Sequence, residues 1–375
     1  MRFSLRRITS DGSYIPQIDG LRFVAILSVV LFHLYAHPWA VDHTYDLSHI
    51  ADLARRGVEL FFVISGFILG LPFARAARNK SKVNLKRYFL RRVTRLEPPY
   101  IIVMIGCAAG MVAKGKFTLH QIIPHLLASI FYVHNIVYKI PSVMNAVAWS
   151  LEVEVQFYCL APVLALLFYL QKTLWRWIIL LGSILYFAWV NAHIAGALYL
   201  PYYLSYFLSG FLIVELYLWS ESWQENRIWD LTALAWPLVW MLSRSLEPFV
   251  LPFLFVVLFM GVFHGVLSSK VFSISWITNI GGMCYSIYLC HMPPLGYIAR
   301  VTEHLHFSTN FWVYFVLQCV VQLPIIFVIC VTYFLLVERP CMDKYWPQKL
   351  YAKLSGRKNQ LTQFQKEPVE LKQTV

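Results

Sequence analysis

The sequence predicts an all-α integral membrane protein, a bundle of about ten transmembrane helices, and three observations carry that reading. Of its 375 residues, 59% are hydrophobic and only 14% are charged, where a soluble domain would carry about 25% charged residues. Apolar runs long enough, or nearly so, to cross about 30 Å of hydrocarbon recur along the chain. The basic residues gather between those runs. That is the pattern of topology signals, so the net charge of +13 implies a membrane orientation rather than a nucleic-acid partner.

The N-terminal MRFSLRR is basic, but the run after it lacks a small-residue cleavage site and contains charges. It reads as a retained helix rather than a signal peptide. The apolar runs lie near 19–37, 57–74, 97–113, 148–170, 175–193, 199–219, 228–243, 249–268, 278–299 and 312–336. Residues 120–138 hold His120, Pro124, His125, His134 and Asn135 among apolar patches, and read as an outer re-entrant or interfacial segment.

The 75–95 loop holds nine Lys/Arg and no Asp/Glu, the tail from Arg339 holds eight Lys/Arg, and the N-terminus adds Arg2, Arg6 and Arg7. Ten spans put all three basic segments on one side, which makes both termini cytoplasmic in a multi-pass protein of the inner or plasma membrane. The 38–56 loop, with Asp42, Asp46 and Asp52, then faces outward; Arg55 and Arg56 at its end run against the rule. Residues 1–340 read as the membrane domain. Residues 341–375 read as a basic cytoplasmic tail whose polar end lacks the apolar content to fold. No repeat is visible, and no stretch outside the spans could pack a soluble core. The seven cysteines lie in or beside apolar runs with no CxxC spacing, so they read as packing residues without a disulfide framework or metal site.

The stretch Ile18–Pro38, IDGLRFVAILSVVLFHLYAHP, carries Asp19, Arg22 and His33 inside a membrane-length run. At about 100° per residue, the eleven positions from Arg22 to His33 make three turns plus about 20°. Both side chains share one face, with Cα atoms roughly 16 Å apart along the axis. Ionisable groups in a membrane are costly, so they mark either a functional path or a satisfied core.

The segment KRYFLRRVTRLEPP brings Arg92 and Arg95 together as i,i+3 neighbours, with Arg87 and Arg91 extending a cationic collar. Such a collar serves as topology signal and headgroup contact, or as a binding site for a cytoplasmic polyanion, because guanidinium forks fit phosphates. In WSLEVEVQFY, Glu152 and Glu154 point about 160° apart and do not form one acid/base pair. Ser65-Gly66 in GVELFFVISGFILG reads first as a close helix contact and only second as a nucleophile. His291, in GGMCYSIYLCHMPP, reads equally as structural or catalytic. No Walker A, GxGxxG, HExxH or GxSxG pattern occurs, which removes support for ATP-driven transport and metal proteolysis.

Taken together, IDGLRFVAILSVVLFH, GVELFFVISGFIL, RYFLRRVTRLEPPY, WSLEVEVQFYCLAP, IGGMCYSIYLCHMPP and the ERP at Glu338–Pro340 resemble the membrane acyltransferase 3 family, the O-acyltransferases of surface polysaccharides. The motifs run in family order from residue 18 to 340. The resemblance implies a ten-helix bundle moving an acyl group, usually acetyl, from cytoplasmic acetyl-CoA or another acyl-CoA to an acceptor hydroxyl at the outer face, with no metal. It implies that Arg22, His33, Arg92 and Arg95 are linked to activity and that the family glutamate falls on Glu154. On that basis Arg22, Arg92 and Arg95 are expected to bind the CoA donor, and His33 and Glu154 to act at the acceptor. The expected partners are a glycan or lipid-linked glycan, such as O-antigen of lipopolysaccharide or exopolysaccharide, and membrane lipids. O-acylation of a small secreted molecule such as a macrolide, and secondary transport, are the alternatives. Glu97-Pro98-Pro99 departs from the family's commoner single proline after an apolar residue.

Overall fold

The computed structural model describes residues 5–8, 14–35, 48–193, 198–234, 247–302, 311–343 and 345–355. Among these, the regular structure is helical throughout, with no strand. In chain order the helices are α1 (Pro16–Tyr35), α2 (Ser48–Arg78), α3 (Leu85–Ala113), α4 (Leu119–Ile130), α5 (His134–Tyr138), α6 (Ala148–Leu164) and α7 (Thr173–His193). They continue as α8 (Leu200–Trp219), α9 (Glu247–His264), α10 (Val266–Phe272), α11 (Ser275–Gly282), α12 (Cys284–Cys290), α13 (Met292–Thr302) and α14 (Phe311–Tyr333). Eight of the described helices, α1–α3, α6–α9 and α14, are long and apolar enough to cross a membrane. The chain is a multi-pass α-helical membrane protein.

The run expected at 278–299 is not one helix but the broken series α11–α12–α13. A Cβ on Gly281 would come 1.8 Å from the Asp19 carbonyl oxygen, while His291, just past α12, meets His33. The segment therefore runs alongside α1 from its Asp19 end to its His33 end. The breaks have local causes. Gly281 and Gly282 weaken the helix before Met283, and Pro293 and Pro294 offer no N–H to the carbonyls of Leu289 and Cys290. Asn145 Nδ2 donates to the orphaned Leu289 carbonyl at 3.0 Å. The run expected at 228–243 falls largely outside the described residues, as do Arg2, Asp42, Asp46 and the tail beyond Ser355. Residues 120–138 form α4, opened by a Thr118–Gln121 capping box and too short to span, and α5.

The same accommodation recurs at two other prolines inside helices. Pro98 in α3 frees the Thr94 carbonyl, and the Trp346 indole donates to it at 2.9 Å. Pro162 in α6 frees the Tyr158 carbonyl, which accepts from the Tyr88 hydroxyl at 3.2 Å. Both freed carbonyls are thus satisfied by a donor from another segment, as hydrocarbon requires.

Helices α2 and α8 approach closely through small residues. A Cβ on Gly66 would lie 2.0 Å from the Phe207 carbonyl oxygen, and one on Gly210 would lie 2.4 Å from both Phe67 N and Val63 O. Without a hydrophobic drive between helices in lipid, such close backbone contact is what holds them. Arg56, the exception to the charge pattern, is buried and pairs with Glu247 at 2.8 Å and, at 4.0 Å, with Glu59. It is an internal counter-ion between α2 and α9 rather than a topology signal.

Candidate functional site

Two polar centres lie along α1. At its N-terminal end the Asp19 carboxylate, wholly buried, accepts from Arg22 Nη1 at 2.9 Å and from Arg7 Nε at 2.7 Å. Arg22 is one helical turn from Asp19, so their pairing follows from the i,i+3 geometry. Arg7 arrives from the segment before α1. Burial lowers its pKa to about 10; Arg22 and Arg95 push it the same way, and Asp19 opposes them.

Around this pair the other arginines converge. Arg92 donates from Nη1 to the Tyr88 carbonyl at 2.8 Å, and its guanidinium lies 3.6 Å over the Tyr88 ring and 5.6 Å from the Tyr158 ring. Those rings hold the guanidinium flat by cation–π contact. Arg95 feels the field of Glu338, and its Nε is buried without a hydrogen-bond partner. The wholly buried Glu338 carboxylate accepts from Ser286 N at 2.9 Å and from the Ser286 hydroxyl. Arg22 on α1 and Arg92 and Arg95, one turn apart on α3, thus share one chamber with Asp19, Glu154 and Glu338.

Glu154 belongs to this chamber rather than to His33. It accepts from the Ser65 hydroxyl across from α2, hydrogen-bonds Tyr158, and faces Arg22 and Arg92. Its neighbour Glu152 turns the opposite way and accepts from the Asn135 backbone N–H at 2.8 Å. The two carboxylates serve separate elements, as their spacing requires. Ser65 is therefore both beside the α2–α8 contact and a hydrogen-bond donor inside the chamber. Arg87 is exposed, whereas Arg91, like Arg92 and Arg95, is half-buried.

The second centre lies eleven residues along α1. His33 Nδ1 is 3.0 Å from His291 Nε2, and His291 Nδ1 is 2.8 Å from the Ile287 carbonyl oxygen. The rings are tilted by 39° with centroids 5.0 Å apart, so they meet edge to edge rather than stacked. His291 is wholly buried, while His33 is half-buried and also contacts Phe32. Although His33 and Glu154 were expected to act together at the acceptor, the partner of the His33 imidazole is a histidine. The reason is topological: Glu154 sits at the chamber's level, whereas the broken α11–α13 segment delivers His291 to the far end of α1.

The sequence reading assigned no place in a site to Arg7, Tyr158, Ser286 or Glu338. Tyr158 and Glu338 lie in quoted motifs and could have been singled out; Arg7 and Ser286 carry no local signal. Among the described residues, no three of His, Cys, Asp and Glu gather as a metal site.

No solved structure matches the chain. It is 30% identical over 165 residues to the putative peptidoglycan O-acetyltransferase YrhL of Bacillus subtilis, covering 41% of this chain and 24% of that protein. It is 30% identical over 166 residues to the peptidoglycan O-acetyltransferase OatA of Listeria monocytogenes, covering 41% and 25%. A putative O-acetyltransferase of Staphylococcus aureus, SACOL0978, is 28% identical over 160 residues, covering 40% and 24%. The matches thus span about a quarter of each relative's length. Residues 15–331, which contain Asp19, Arg22, His33, Arg92, Arg95, Glu154 and His291 but neither Arg7 nor Glu338, match the family model for the acyltransferase domain, and the chain belongs to the acyltransferase 3 family.

Proposed function

We propose that the protein is an O-acetyltransferase that takes an acetyl group from acetyl-CoA at the cytoplasmic face and delivers it to a hydroxyl of a cell-envelope glycan at the outer face. The observation that carries this is the pair of centres on α1: an arginine chamber around Asp19 and a histidine pair at His33, roughly 16 Å apart along the helix. Arg92 and Arg95 would hold the CoA phosphates, which planar guanidinium forks fit. Arg22 would hold the pantetheine as it extends along α1 toward His33. His33 would take the proton of the acceptor hydroxyl as its oxygen attacks the thioester carbon. The C–S bond then breaks, and the CoA thiolate leaves and recovers the proton. Imidazole suits this task because its unperturbed pKa lies near neutrality. Glu154, within the chamber, would act on the donor side rather than on the acceptor. The names of the Bacillus and Listeria relatives support a glycan, peptidoglycan among them, as the acceptor.

The test uses purified protein in lipid, with acetyl-CoA labelled in its acetyl group and a soluble peptidoglycan fragment. His33→Ala should abolish transfer, and Arg95→Ala should raise KM for acetyl-CoA about ten- to a hundredfold, the worth of one lost charge-assisted hydrogen bond. Wild-type transfer by stably inserted His33→Ala would overturn the proposal.

A further inference from the structure

We infer that His291 is a positioning residue that holds His33 in its Nδ1–H tautomer and so makes Nε2 the atom that receives the acceptor proton. The inference rests on the reading of His33 as the base. Its argument is one of donors and acceptors. A carbonyl oxygen can only accept, so the 2.8 Å contact between His291 Nδ1 and the Ile287 carbonyl places a hydrogen on His291 Nδ1. His291 is wholly buried, and among the described residues the polar groups against it are the backbone carbonyls of Ile287 and Tyr288 and the His33 ring. Among the described residues no carboxylate is there to balance a cation, and an unpaired charge in that setting is costly. His291 is therefore neutral, and its Nε2 carries a lone pair.

The 3.0 Å contact to His33 Nδ1 then has one consistent assignment: His33 Nδ1 donates and His291 Nε2 accepts. The remaining His33 nitrogen, Nε2, keeps its lone pair, and no hydrogen bond among the described residues engages it. The chain of bonds runs from the Ile287 carbonyl to His291 Nδ1–H, from His291 Nε2 to His33 Nδ1–H, and ends at His33 Nε2. When His33 takes up the acceptor proton at Nε2, the Nδ1–H bond to His291 persists and holds the imidazolium, a role that a carboxylate fills in Ser-His-Asp triads.

The fold supports this arrangement from behind. Pro293 and Pro294 end the α12 helix immediately after His291, and Asn145 caps the freed Leu289 carbonyl at 3.0 Å. The backbone that aims His291 at α1 is thereby fixed rather than frayed. Ile287 takes both the His291 backbone N–H, at 3.1 Å, and the His291 ring, which pins the ring back along its own helix.

The experiment compares His291→Leu, His291→Gln and His33→Ala in the labelled acetyl-transfer assay, each checked for stable insertion by size-exclusion in detergent. Leucine removes the acceptor, and kcat should fall by about 10²–10⁴ while KM for acetyl-CoA stays within about twofold, since a tautomer error acts on proton transfer and not on donor binding. Glutamine puts a carbonyl oxygen near the position of Nε2 and should recover most of that loss. A His291→Leu protein that keeps kcat while His33→Ala is dead overturns this inference and leaves the base assignment standing. An active His33→Ala overturns the base assignment itself. Equal losses for leucine and glutamine also overturn the inference, because they show that an acceptor at this position is not what matters. Nitrogen-15 NMR of histidine-labelled wild-type protein, with His33 assigned by difference against His33→Ala, needs no His291 variant. His33 Nδ1 should appear protonated and Nε2 unprotonated at neutral pH, and the reverse would refute the assignment.

Discussion

Asp19 is the residue whose loss the structure quantifies best. Its carboxylate is 0% exposed and binds two guanidiniums, each 14% exposed, at 2.7 and 2.9 Å. A hydrogen bond to a charged group is worth about 1.5–3 kcal/mol. Removing one partner of a buried ion pair costs about 3–5 kcal/mol, because the charge left behind stays buried. Asp19→Ala leaves Arg7 and Arg22 facing each other without a counter-ion, so a loss of about 4 kcal/mol is expected. Asp19→Asn keeps one acceptor oxygen and should lose roughly half of that. Because the arginine repulsion is part of the cost, adding Arg22→Ala to Asp19→Ala should return about 2 kcal/mol of coupling energy. The assay is unfolding of the purified protein in mixed micelles, read by fluorescence, for the two single variants and the double variant. Strict additivity, or an Asp19→Ala protein within about 0.5 kcal/mol of wild type, would refute the reasoning. In the transfer assay the same variant should raise KM for acetyl-CoA, since Arg22 is no longer held.

Gly281→Ala should act on the same place from the neighbouring helix. Its Cβ would lie 1.8 Å from the Asp19 carbonyl oxygen, and forcing α11 away from α1 should cost about 1–3 kcal/mol; unchanged thermal stability would show that the two helices do not meet there. At the other end of the molecule, His134 in α5 sits 2.9 Å from His125 and 3.1 Å from the Ile140 carbonyl. Burial, aided by His125 and opposed by the Ile140 carbonyl, keeps its pKa below the ordinary 6.5. The folded state then binds fewer protons than the unfolded one below that pH, so protection of α4–α5 against hydrogen exchange should hold above about pH 6.5 and decline as the pH falls below it. His134→Gln should flatten that dependence, and an unaltered pH profile would remove His134 as its cause.

The membrane class, most of the spans and the line from Arg22 to His33 were legible because each is a local property. Hydropathy over about twenty residues marks a span, and the 3.6-residue period fixes which side chains share a helix face. The opposed directions of Glu152 and Glu154 were legible for the same reason, and the structure sends them to Asn135 and Ser65. The run at 278–299 was visible as apolar, but its division at His291 depended on Asn145 being placed to donate to the Leu289 carbonyl that Pro293 frees. The unusual Glu97-Pro98-Pro99 likewise became intelligible only with Trp346 placed at the Thr94 carbonyl.

What the sequence determined by itself was therefore the contents of each helix: an α1 with a carboxylate and an arginine at one end and a histidine at the other, and an α3 with two arginines one turn apart. Only the tertiary structure decided which groups on different helices meet. It brought Arg7 to Asp19, Ser65 to Glu154, Ser286 to Glu338, and His291 to His33 from 258 positions away. The physical reason is that rise and rotation within a helix follow from backbone geometry, whereas contacts between helices follow from which glycines allow close approach and where prolines break the hydrogen-bond ladder.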